Sequence, residues 1–140
     1  MKRSNKELVK TLINKVFNEH DFSVLDEIMR DDYIQHNPDA DQGKKGFVEF
    51  FIPTFKAMPD FKYEIFKIIT EGDIVMAYCG CSGTHTGGPW LEKPATGKHM
   101  TWTCVDIFRI QDGKIAEHWD VADTFELFRQ LGIIDLRMGR

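Results

Sequence analysis

Apolar residues follow two rhythms along this chain. Leu8, Val9, Leu12, Ile13, Val16 and Phe17 recur three and four apart, which draws one stripe down a helix. Ser4-x-x-Glu7 ahead of them has the form of a capping box, so a first helix is predicted, ending near His20-Asp21. Ser23-x-x-Asp26 with Leu25, Ile28 and Met29 predicts a second, shorter helix. DDYIQHNPD then turns polar. Pro38 favours an extended Asn37, and the run to Lys45 reads as loop. From Gly46 the helical spacing returns in Phe47, Val48, Phe50, Phe51, Phe55 and Met58, with a kink or a fresh turn expected at Pro53. So aromatic a helix suits cover over a sheet and the wall of an apolar cavity equally well, and the two are compatible.

After Pro59-Asp60 the period changes to two. Phe61, Tyr63 and Ile65 alternate with Lys62 and Glu64, which predicts strands over 61–70 and 74–86 joined by a turn at Glu71-Gly72-Asp73. Gly80 and Gly83 inside the second strand are expected to mark bulges or bends. A turn-rich loop from Gly87 to Gly97 leads to TWTCVDIFRIQDGKIAEHWDVADT, two alternating runs around Asp112-Gly113, a strong hairpin signal. Thr124 or Asp123 can cap a last helix through Phe125, Leu127, Phe128 and Leu131, stopped by Gly132. Helices followed by a meander of about four antiparallel strands make an α+β layout in one domain, 1–140.

The hairpin carries the chemistry. Asp106 shares its parity with Met100, Trp102, Cys104, Phe108 and Ile110, so it points where they point, and a carboxylate aimed into a core needs a partner. The returning strand adds His118 and Asp120 on one face. A plain two-residue turn would set Asp106 against Trp119 and send Asp120 to the other side. One extra residue, as when Gly113 takes the αL position of a G1 bulge, sets Asp106 against Asp120. The second register is favoured, because it gathers the acids into one cluster rather than leaving two isolated charges.

Composition narrows the function. With 18 basic against 22 acidic residues the formal charge is −4, so a nucleic-acid or anionic-membrane surface is not expected; the closing LRMGR is a short basic tail. No apolar run reaches membrane length and the N-terminus lacks a signal-peptide core, so a cytoplasmic protein is expected. Cys79, Cys81 and Cys104 are an odd number on strands and are expected to be reduced, packed thiols rather than a metal site.

DDYIQHNP after two helices, G-x-x-x-F-x-x-F-F on the third, PATGKHMTW entering a strand and FRIQDGKIAEHWDV around the hairpin resemble the SnoaL-like polyketide cyclases over nearly the whole chain. That resemblance implies the fold of a superfamily that also holds nuclear transport factor and ketosteroid isomerase: a curved antiparallel sheet packed against N-terminal helices around a cone-shaped cavity, the cystatin-like roll. It also implies that Asp120 is a general acid/base. A His assists in those cyclases from the position held here by Asp106, so the chain departs from their pattern there. An acid at Asp106 is similar instead to the protonated carboxylic acid of ketosteroid isomerase, which donates to a developing oxyanion.

Opposed Asp106 and Asp120 would have Cβ atoms about 5 Å apart, close enough to keep one carboxyl protonated. Such a pair can remove a proton α to a carbonyl and hydrogen-bond the enolate without metal or cofactor, which serves an aldol cyclisation or a double-bond isomerisation. His118 can orient Asp120 or share its proton, and His36 is a further catalytic candidate against a structural role in its loop. Tyr33, Gln35, Phe51, Phe55, Trp90 and Trp102 are the candidate substrate contacts; His85 and His99 are expected to face solvent. The expected partner is a small apolar carbonyl compound, together with a second copy of the chain. The alternative is a non-catalytic ligand-binding or dimerisation module on the same fold.

Overall fold

The computed structural model describes residues 2–134, and the basic C-terminal tail lies outside the described residues. Helix α1 spans Asn5–Leu12 and is capped as predicted, with Ser4 and Glu7 bonding each other's backbone reciprocally. It runs on into a π-helical stretch, Ile13–Asn18, that keeps Ile13, Val16 and Phe17 buried. Helix α2 is one turn, Leu25–Ile28, capped at Val24 rather than at Ser23, whose N–H instead meets the Asp21 carboxylate. Met29 is buried as expected, but on strand β1 (Met29–Gln35), not on the helix.

That strand was not foreseen. Its buried positions carry Met29, Tyr33 and a glutamine, three charged residues stand between the first two and Ile34 is exposed, so apolar alternation is too thin to signal it. Helix α3 spans Gly43–Ala57 and passes through Pro53 without a break: the proline sits on its solvent side, where water can take up the freed carbonyl. Strands β2 (Lys62–Glu71), β3 (Ile74–Thr84), β4 (His99–Gln111) and β5 (Lys114–Ala122) form the antiparallel meander, and α4 (Thr124–Leu131) closes the chain between an Asp123 cap and a left-handed Gly132. The five strands lie in the order β1-β5-β4-β3-β2, with β1 parallel to β5, so the sheet is mixed at one edge and does not close.

Gly80 and Gly83 do not mark bulges on β3. A Cβ on Gly80 would lie 2.5 Å from the Phe66 ring and one on Gly83 2.7 Å from the Met58 sulfur, so both glycines make room for neighbours. The bulge falls on the partner strand, between Ile65 and Lys67.

The expected hairpin register holds, by a different device. Asp112 and Gly113 both have positive φ (54° and 73°) and make a tight two-residue turn between paired Gln111 and Lys114. The extra residue is Ala116: Ile110 faces Ile115 while Arg109 faces Glu117, and the shift sets Asp106 directly opposite Asp120. The helices pack on the face that carries Asp106 and His118. Among the described residues no helix is long and apolar enough to cross a membrane.

Candidate active site

Three strands deliver the polar cluster. Asp106 on β4 is 3% exposed, His118 on β5 is 8% exposed, and Gln35 on β1 pairs with His118 in parallel register. His118 Nε2 lies 2.8 Å from Asp106 Oδ1, and His118 Nδ1 lies 2.8 Å from Gln35 Oε1. The protonation pattern of this chain is set from its far end. Gln35 Oε1 also accepts the Asn37 backbone N–H at 3.1 Å, while Gln35 Nε2 donates to the Tyr33 hydroxyl at 2.7 Å, which fixes the amide orientation. His118 Nδ1 must therefore carry a proton and donate. Nε2 then faces Asp106 either as a lone pair accepting the carboxyl proton or as the second N–H of an imidazolium, so the pair holds one mobile proton between them.

Burial pushes the Asp106 carboxyl up to about 7; the His118 hydrogen bond opposes that rise, and the nearby Asp120 charge adds to it. Burial, reinforced by Asp106 and then Asp120, also drives the Tyr33 phenol upward, which keeps it a neutral hydroxyl that can take the Gln35 donation. Asp120 is placed differently. It is half-buried, and its Oδ2 accepts from Asn37 Nδ2 at 3.4 Å, a residue not singled out from the sequence. Cys104 Sγ donates to Asp106 Oδ2 at 3.4 Å and touches Cys81 Sγ at 3.3 Å. All three cysteines are free and buried, as expected.

Gln35, Asn37, Cys104, Asp106, His118 and Asp120 form the floor of a cavity of about 160 Å³, with Phe51, Trp90, Trp102 and Phe128 among its apolar walls. The structure brings Asp106, His118, Asp120, Gln35, Phe51, Trp90 and Trp102 together there. It does not bring in three other candidates. Tyr33 sits behind Gln35 rather than on the cavity surface. Phe55 is packed away from it, its ring stacked 4.0 Å from His20. His36 is exposed on the opposite face of the sheet, stacked on Trp119 at 4.8 Å and bonded to Glu117 at 2.6 Å. A one-residue step past the end of β1 is enough to send His36 away from Gln35. His99 is exposed as expected, but His85 is fully buried and bonds its own loop. Phe47 also lines the cavity, from the helix read as either sheet cover or cavity wall, and so do Phe17 and Phe61; the sequence marks these two only by their apolar spacing, which does not separate a core contact from a cavity wall.

Asp106, His118 and Asp120 each place a ligand atom within 4.8 Å of the other two, a set that suits a divalent cation by atom type. A cation on His118 Nε2 would have to displace the hydrogen bond to Asp106.

An open α+β roll with a proton-sharing carboxylate–imidazole pair and a second carboxylate under an aromatic cavity defines a class of acid/base sites. Residues 7–131 match the family model of the SnoaL-like polyketide cyclases, and the chain belongs to that family. The aklanonic acid methyl ester cyclase DauD of Streptomyces sp. (strain C5) is 28% identical over 115 residues, 78% of this chain and 67% of the relative. Among solved structures, TsrD from Streptomyces laurentii superposes with a TM-score of 0.85 at 30% identity, covering 96% of this chain and 99% of its own. IdmH from Streptomyces antibioticus, a candidate polyketide cyclase, does so with a TM-score of 0.80 at 26% identity, covering 93% and 99%.

Proposed function

We propose that the protein is a cofactor-independent cyclase or isomerase acting on a small apolar carbonyl compound. The observation that carries this reading is the pairing of two unlike carboxyls on one cavity floor: Asp106 buried and sharing a proton with His118, Asp120 half-exposed and facing the cavity. Asp120 removes a proton α to the carbonyl. The proton held by the Asp106–His118 pair hydrogen-bonds the oxygen as charge develops there, which lowers the barrier most in a water-poor site. The enolate carbon then adds to a second carbonyl of the same molecule, and the new alkoxide takes a proton back; without a second carbonyl, reprotonation at another carbon gives isomerisation. Relatives named as aklanonic acid methyl ester cyclases support the cyclisation branch.

Enolisation can be tested before the natural substrate is known. Small β-keto esters incubated with the protein in D₂O are followed by proton NMR for loss of the α-proton signal. The wild type accelerates the exchange, and Asp120→Asn lowers the rate by roughly 10²–10⁴-fold, the usual weight of a positioned base. Unchanged exchange in that variant, with an unchanged melting temperature, removes Asp120 from the role. Binding with no exchange in the wild type supports the non-catalytic module instead. The same reading needs no metal: dialysis against EDTA leaves the rate unaltered, and added Zn²⁺ slows it by taking His118 Nε2 from Asp106.

We also propose that a second copy covers the outer sheet face, where Phe66, Ile69, Tyr78 and Val121 are 42–70% exposed.

A further inference from the structure

Two properties of the cavity restrict what it accepts beyond the acid/base reading, on which this inference rests. The first is charge. Asp39, Asp106 and Asp120 all line the cavity, and among the described residues no lysine or arginine does. The imidazole of His118 is bonded to Asp106 and Gln35, so toward the cavity the pair has a single mobile proton to turn to a substrate oxygen and no fixed positive charge. A carboxylate or phosphate entering here would lose its water shell against like charges with no lysine or arginine to meet it.

The second is length. A cavity of about 160 Å³ is close to the roughly 150 Å³ that encloses a single benzene ring. One ring fills it, and a second can project toward the mouth beside Asp39 and Leu91. The wall at Trp90 is a built feature. Trp90 and Lys93 bond each other's backbones, both at 2.9 Å, around Leu91 and Glu92, which hold φ at 50° and 63°. Two successive side-chain-bearing residues in the left-handed region are strained and persist only where their surroundings hold them. Here the Trp90 indole N–H reaches Thr54 Oγ1 on α3 at 3.2 Å. Fully buried His85 ties the base of the loop through Gly88 O at 2.7 Å and Thr96 Oγ1 at 3.1 Å.

We propose that this site selects uncharged carbonyl compounds of one or two rings, with Trp90 setting the size limit and the acidic floor excluding anions. Trp90 is thus a specificity-determining residue, and the preferred ligand is more compact than a polycyclic one.

Ligand binding tests this independently of turnover, by calorimetry on the full chain at pH 7 with 1-tetralone, the two-ring anion 1-naphthoate, and the three-ring ketone anthrone. The wild type binds 1-tetralone at least tenfold more tightly than either of the others. Trp90→Ala reverses the order of tetralone and anthrone, Trp90→Phe keeps the wild-type order, and Asp120→Asn narrows the gap between tetralone and naphthoate. Equal wild-type affinity for anthrone and tetralone overturns the size limit, and equal affinity for naphthoate overturns the charge rule. An unchanged order in folded Trp90→Ala removes Trp90 from the role. Loss of enolisation with the binding order intact would count against the catalytic reading alone.

Discussion

At the scale of single residues, the site turns on which atom holds a proton. Asp106 binds its proton more tightly in the native state, at about 7, than an unfolded aspartate does near ~3.9. Its contribution to stability is therefore full below about pH 4 and is lost as pH rises through about 7. Asp106→Asn removes that dependence. Thermal melts between pH 4 and 8 should show the variant gaining on the wild type by on the order of 2–4 kcal/mol as pH rises. Activity should fall on the alkaline side near pH 7 as the mobile proton is lost, and a pH–rate profile of Asp106→Asn should lack that limb. Gln35 acts one bond further out. Gln35→Leu leaves His118 Nδ1–H without its acceptor, a cost of roughly 1–3 kcal/mol, and frees the tautomer. The exchange rate should drop while ligand affinity changes little, and Gln35→Glu, which keeps the acceptor, should recover part of it. From the sequence, parity put His118 and Asp120 on one face, and the favoured hairpin register added Asp106. The Gln35 and Asn37 contacts depend on a parallel strand pairing that no local pattern encodes.

At the scale of elements, small irregularities place the chemistry. Ala116 is the residue that converts a tight two-residue turn into the register opposing Asp106 to Asp120. Polarity favours that register from the sequence but assigns the extra residue to Gly113, because a glycine signals positive φ plainly and a bulged alanine signals nothing. The loop after β3 has a similar dependence. Gly87 donates its N–H to Ala57 O at 2.9 Å, and a Cβ there would collide with the Lys56 carbonyl oxygen. Gly87→Ala should cost about 1–3 kcal/mol in denaturant melts, the range for overpacking against groups that cannot yield. Because the same loop carries Trp90, selection between tetralone and anthrone should weaken with it. An unaltered melt and unaltered selection would show that the loop is not anchored through this contact.

At the scale of the whole molecule, the exposed apolar residues of the outer sheet face lie on different strands, so only the assembled sheet makes them a patch. Sedimentation should give a dimer, and Val121→Lys, at the residue 70% exposed, should shift it toward monomer without changing the melting curve of the cavity side. A monomeric wild type would remove the second copy from that face. The amphipathic spacing of α1, α3 and α4, the period-two strands and the hairpin turn are local, and the sequence by itself determined them, together with the α+β class and the common face of His118 and Asp120; that Asp106 joins them it only favoured, and the Ala116 irregularity decided it. Three things were decided only in three dimensions: the parallel β1–β5 edge that brings Gln35 to His118, the side of the sheet on which His36 ends, and the division of the aromatics between core and cavity wall. The physical reason is one of range. Periodicity reports which way a side chain points relative to its own element, whereas a shared proton or a cavity wall depends on the distance to another element, which is set only when the sheet assembles.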